Sequence, residues 1–142
     1  MKNAIITGCC GHIGKAICSE LILSDYTVYG IDLKEAFESE SYQRSKVSKS
    51  IKPLHLDLSD LTEVKRVSNK IKEVESINLL VNNAAYYGDI DGFDEEFENE
   101  TYQAWEMVYR VNTIAPFLLI QSLKDKLEKC KNKASVINIG TM

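Results

Sequence analysis

The sequence predicts one α/β domain spanning residues 1–142, a doubly wound parallel sheet of five strands with helices on both faces. Three observations carry that expectation. Short apolar runs bounded by glycine or polar residues alternate with stretches whose apolar residues recur at three and four positions, which implies right-handed βαβ crossovers. A glycine-rich turn separates the first such run from the first helical stretch. A length of 142 residues, 44% apolar and 27% charged, fits one globular domain and not a disordered chain.

The elements follow in order. Lys2 to Thr7 holds the apolar run Ala4-Ile5-Ile6 and stops at Gly8, as a buried strand would. From Ile13 the period changes, and Ile13, Ala16, Ile17 and Leu21 mark the face of an amphipathic helix. Tyr26 to Ile31 reads as the second strand, ending at Asp32. Residues 33–52 are polar and serine-rich, which predicts a solvated loop or a weak helix. Pro53 to Leu58 gives a third strand. Asp60 and Glu63 then form a capping-box-like helix start, with Leu61, Val64, Val67, Ile71 and Val74 along one face. Ile77 to Val81 is the fourth strand. A long helix is expected from about Thr101 to Lys131, bent at Pro116, because an interior proline removes a ladder hydrogen bond. Ala134 to Ile139 is the fifth strand.

Several function classes are excluded. A net charge of −4 argues against a general nucleic-acid binder, which carries a basic patch. No apolar run approaches the ~20 residues of a membrane span, and the N-terminal apolar stretch is too short for a signal-peptide core. A cytoplasmic protein is expected. Residues 89–100 are strongly acidic, but counting from Asp89 the fifth and sixth positions are Phe93 and Asp94, so a calcium loop does not match. No metal site is expected either. Cys9, Cys10, Cys18 and Cys130 lack zinc-ligand spacing and read as reduced thiols, while His12 and His55 are isolated.

The turn Thr7-Gly8-Cys9-Cys10-Gly11-His12-Ile13-Gly14 has a chemical explanation. A side chain at Gly8 or Gly11 would hold the backbone away from a pyrophosphate, and Gly14 permits close packing of helix on strand. The free N–H groups at the helix start then face the anion, favoured by the helix dipole. Asp32 follows Gly8 by 24 residues, near the spacing of a ribose-binding carboxylate. A carboxylate there accepts bonds from a ribose 2′-hydroxyl and repels a 2′-phosphate, so NAD is expected over NADP, with Lys15 and Lys34 near enough to soften the preference.

Thr7 to Gly14, Asp32, Asp57, Asn82-Asn83-Ala84-Ala85, Asn112 and the strand Ser135-Val136-Ile137-Asn138-Ile139 occur in one order that resembles the short-chain dehydrogenase/reductase family over essentially the whole chain. The resemblance implies a Rossmann-type sheet with strand order 3-2-1-4-5. It implies cofactor contacts from Thr7, Gly8, Cys10, Gly11, His12, Ile13, Gly14, Asp32, Leu33, Asp57, Leu58, Asn83, Ala84 and Ala85. Asp57 would approach the adenine, and Asn82 to Ala85 would line the cofactor cleft. Asn112 matches the family's catalytic asparagine, and Thr141 falls where the family has its catalytic serine.

This sequence also departs from the pattern. Its glycines are spaced Thr-Gly-x-x-Gly-x-x-Gly, with His12 where the simpler reductases have glycine. The family's Tyr-x-x-x-Lys is expected about a dozen residues beyond Thr141, past Met142. The Tyr42-Gln-Arg-Ser-Lys46 match lies on the adenosine side and is not read as catalytic.

Two functions fit. One is an NAD(P)-dependent oxidoreductase acting on a carbonyl or alcohol, represented here by its cofactor-binding half and inactive by itself. The alternative is a non-catalytic nucleotide-binding or interaction module of the same fold. Either way, an uncovered fifth strand and the apolar run Phe117-Leu118-Leu119-Ile120 predict self-association.

Overall fold

The computed structural model describes residues 2–87 and 101–140. The acidic segment 89–100 and Thr141 lie outside the described residues. Five parallel strands form one sheet in the order β3-β2-β1-β4-β5, as expected. They are β1 (Lys2–Thr7), β2 (Tyr26–Asp32), β3 (Lys52–His55), β4 (Leu79–Asn82) and β5 (Ser135–Asn138). The registers Ile5↔Tyr29 and Ile5↔Leu80 put these side chains on one face, and Ala4, Ile6, Val28 and Val81 on the other.

Each face is covered by helices, so two cores form. On one side α7 (Ala115–Glu128) and the short helices α4 (Leu61–Val64) and α5 (Val67–Lys70) bury Val64, Val67, Ile71, Leu119 and Leu123 against Ile5, Ile31 and Leu80. On the other, α1 (His12–Leu23) and the short α2 (Lys34–Glu38) and α3 (Glu40–Gln43) pack Cys18, Phe37 and Tyr42 on Ala4, Ile6 and Val28. Each fully buried aliphatic side chain stabilises this arrangement by about 1.5–3 kcal/mol relative to exposure. Among the described residues no helix is long and apolar enough to cross a membrane.

Local details differ from the sequence reading. The buried stripe of α1 runs through Gly14 and Cys18, with Ile17, Leu21 and Ile22 half-buried, so Ile13 and Ala16 face outward. Of the two readings of residues 33–52, the weak helix holds and the solvated loop does not: α2 and α3 form there, and Phe37, Tyr42, Val47 and Ile51 turn into the core. The face from Leu61 to Val74 does point inward, but over two short helices and not one; Val64, Val67, Ser68 and Asn69 are weak helix formers. Asp60 caps α4 as expected, accepting from the Thr62 and Glu63 N–H groups.

The long helix is also divided. α6 (Tyr102–Tyr109) joins α7 through a π-helical turn at Arg110–Ile114. Pro116 has no N–H to give the carbonyl four residues back, that of Asn112, and the ladder widens just ahead of it. Of the run from Phe117 to Ile120, Leu118 and Leu119 are buried and only Phe117 is well exposed, at 61%.

Candidate functional site

The crevice at the C-terminal ends of β1 and β4 is the topological switch point of this sheet, since the chain leaves β1 toward β2 on one side and β4 toward β5 on the other. Thr7 and Asn83 tie its two walls together. The Thr7 hydroxyl, almost fully buried, accepts from the Asn83 N–H at 3.0 Å and the Ala84 N–H at 2.9 Å. The Asn83 amide donates back to the carbonyls of Thr7 and Gly8 at 3.0 and 3.2 Å. Thr7 is therefore a strut beneath the crevice, its side chain closed off from any ligand, while Ala85 lies exposed above it.

The glycines are fixed mainly by the protein's own backbone. Gly8 has φ +66°, and a Cβ there would come within 2.9 Å of Ala84 Cα. A Cβ on Gly14 would run into the Gly8 carbonyl, so its role is to fit the helix start to the loop and not to the strand. Gly11 is different. A Cβ there would meet only the Gly8 carbonyl oxygen, at an ordinary 3.4 Å. Gly11 is the N-cap of α1, with no side-chain cap and no acidic residue in the first turn. The first N–H groups of that helix have no intrahelical acceptor. His12 and Ile13 flank them, both exposed.

Asp32 ends β2 beside this loop. Its Oδ2 accepts the Cys10 N–H at 2.9 Å and its Oδ1 the Leu33 N–H at 2.9 Å, which fixes the carboxylate and leaves further lone pairs on both oxygens. The Leu33 side chain is 46% exposed next to it. Asp57, beyond β3, is exposed, and its Oδ1 accepts from the Ser59 N–H and hydroxyl. The side chain of Leu58 lies in the core.

Burial raises the thiol pKa values around the loop. Cys9 is pushed far up by desolvation, then by the neighbouring Cys10 and Asp32. Cys10 is pushed up to about 12 by desolvation and by the Asp32 charge, and Cys18 to about 12 by desolvation. Tyr42 is 3% exposed, edge-on against Phe37, and its hydroxyl is likewise raised by burial. It belongs to the core under α1, which agrees with setting aside Tyr42-x-x-x-Lys46 as catalytic.

Asn112 stands in the π-helical turn. Its Oδ1 accepts the Tyr86 N–H at 2.7 Å and its Nδ2 donates to the Tyr86 carbonyl at 2.9 Å. Both ends of the amide are used, so the side chain positions the segment after β4. The sequence held no local signal for this link, which spans 26 residues. A second tie that sequence reasoning missed runs from Arg110, paired with Glu106, to the Ser59 carbonyl.

Comparison with known proteins places these features in company. A family model described as short chain dehydrogenase matches residues 2–142. A short-chain dehydrogenase/reductase of Phaeosphaeria nodorum is 33% identical over 130 residues, covering 86% of this chain and 40% of its own. An acetoacetyl-CoA reductase of an Acinetobacter species is 26% identical, covering 99% of this chain and 56% of its own. Among solved structures, the Pseudomonas aeruginosa RhlG/NADP active-site complex superposes with a TM-score of 0.80 at 26% identity, over 99% of this chain and 54% of its own. The chain thus spans about half the length of the relatives it matches.

Proposed function

From the fact that this chain belongs to the short-chain dehydrogenase family, we propose that residues 1–142 hold the nicotinamide dinucleotide of an NAD(P)-dependent oxidoreductase acting on a carbonyl or alcohol. The observation that carries the reading is the uncapped start of α1, bare of acidic residues, at the β1/β4 switch point. The residues fit an anion, because the first-turn N–H groups lack acceptors of their own and Gly11 leaves room above them. The N–H groups of His12, Ile13 and Gly14 would face the pyrophosphate. The exposed Ile13 and Leu33 side chains would cover the adenosine half, with Asp57 and the Leu58 backbone beyond.

The dinucleotide, when bound, supplies or receives the hydride. The chain's own contribution is to orient it: Thr7 and Asn83 hold the crevice at fixed width, and Ala84 and Ala85 line its floor. Asn112 is a positioning residue that fixes the Tyr86 backbone. Thr141 would hold a substrate oxygen. The proton transfer needs a group within hydrogen-bond reach of that oxygen, and buried Tyr42 under α1 does not supply it.

Asp32 supports NAD as the preferred form, since its remaining lone pairs suit ribose hydroxyls and its charge opposes a 2′-phosphate. RhlG, solved with NADP, is a relative with the opposite ligand. Calorimetric titration of the chain with NADH and NADPH tests the reading. Tighter binding of NADH, with the preference lost in Asp32→Ala, is expected. Tighter binding of NADPH by the unmodified chain would show the role given to Asp32 to be wrong.

A further inference from the structure

Spacing along the sequence gives Cys9 and Cys10 no partner ligands, but the fold does. Parallel pairing of β1 with β2 brings the end of β2 beside the loop after β1, so Asp32 lies against two cysteines more than twenty positions earlier. One sulfur of Cys9, one of Cys10 and one carboxylate oxygen of Asp32 all lie within 4.8 Å of one another. The two sulfurs are 3.9 Å apart. Two thiolates bound at about 2.3 Å to one tetrahedral centre stand about 3.8 Å apart, so this pair already has that bite.

The surroundings hold the trio in place. Cys9 is fully buried, its sulfur over Gly30, where any Cβ would come within 2.5 Å of it. The Cys10 backbone N–H is bonded to Asp32 itself, which fixes the distance from loop to carboxylate. Cys10 and Asp32 are half-exposed, which provides entry and leaves the fourth position to water. All four cysteines are free thiols. Two sulfurs and one carboxylate make a set that selects a soft or borderline d10 dication over magnesium or calcium.

We propose that Cys9, Cys10 and Asp32 form a binding site for a thiophilic d10 divalent cation of the zinc and cadmium type. Binding replaces the two thiol protons by the metal, and the protons leave to solvent with no change of oxidation state. A consequence rests on the function proposed above. Asp32 and the Cys10 backbone belong to the dinucleotide cradle, so metal and dinucleotide would exclude each other. The metal would then act as an inhibitor of cofactor loading.

The test is titration of the reduced 142-residue chain with cadmium chloride, followed by the ultraviolet thiolate-to-cadmium band and by proton release in weak buffer. One cadmium per chain and two protons per cadmium are expected. Cys10→Ser, a near-isosteric change at a half-exposed position, should abolish the band, and Asp32→Asn should weaken binding at least tenfold. Cys130→Ser, a thiol on another part of the chain, should leave it unchanged, and cadmium, the softer ion, should displace zinc from the zinc-loaded chain. A band that survives Cys10→Ser, or is lost in Cys130→Ser, would overturn the site. NADH fluorescence then tests the exclusion. Bound NADH that cadmium fails to displace overturns the exclusion, whereas a metal-free chain that binds no dinucleotide overturns the proposed function and leaves the site standing.

Discussion

Replacing Thr7 by valine separates the strut under the crevice from mere packing. The two side chains have nearly the same shape, but valine has no oxygen. In the native chain that oxygen accepts two backbone N–H groups, from Asn83 and Ala84, at a position 1% exposed. Thr7→Val leaves both half-buried donors unsatisfied, at roughly 1–3 kcal/mol each, so a loss of about 2–6 kcal/mol is expected. That is a large share of a total stability of about 7–20 kcal/mol for a chain this long. Thr7→Ser is the control, because it keeps the oxygen and removes one methyl group, about 1 kcal/mol. Urea unfolding at low protein concentration reads the difference. With a slope of about 1–3 kcal/mol per molar urea, the valine midpoint should fall below the serine one, by about 0.3 M at the least and by more than about 1 M at mid-range values. A valine midpoint equal to or above the serine midpoint would refute the reasoning, and with it the view that Thr7 sets the spacing of β1 and β4.

Further outcomes follow from the same structure. Residues 1–142 alone should show no substantial dehydrogenase turnover, because a missing general acid by itself costs about 10²- to 10⁴-fold; robust turnover abolished by Tyr42→Phe would overturn this and the exclusion of Tyr42. The chain should self-associate through β5, an edge strand in the described sheet, where Val136, Ile137 and, just beyond the strand, Ile139 are 38%, 44% and 45% exposed. Light scattering against concentration measures it: Ile137→Lys should reduce the association, and a monomer at high concentration would contradict it. Stability should fall as pH rises from 9 toward 12. An unfolded Cys18 ionises near 9.0 while the folded thiol, held neutral by burial, keeps its proton to about 12, so its contribution is complete below pH 9 and lost across that window. Cys18→Ala should flatten that part of the urea midpoint profile, and an unchanged slope would count against the burial argument.

Much of this was legible in the sequence because it is written in local pattern. Apolar runs and glycines marked the strands, the turn from Thr7 to Gly14 marked the crevice, and Asp60 marked a helix start. What stayed hidden depends on long-range contact. Ile13 fits a helical stripe by period, yet Gly14 and Cys18 face the sheet, because the loop fixes the helix's rotation about its axis. Residues 33–52 look solvated by composition, and only four apolar anchors among the serines turn inward. The role of Asn112 lies in a bond to Tyr86, and the ligand set around Cys9 and Cys10 is completed by Asp32 only once β1 and β2 pair.

The central claim is that the bare start of α1 binds the dinucleotide's pyrophosphate, and Gly11→Asp tests it most directly. The backbone there, φ −72° and ψ 171°, suits an aspartate N-cap, and its Cβ has room. The new carboxylate would accept the N–H groups offered to the pyrophosphate, and stability should stay within a few tenths of a kcal/mol or rise. NADH titration of both proteins, with urea unfolding alongside, should show binding by the native chain and its loss, by tenfold or more, in an equally stable variant. Equal NADH affinity in the two proteins would contradict the claim, because the anion would then lie elsewhere.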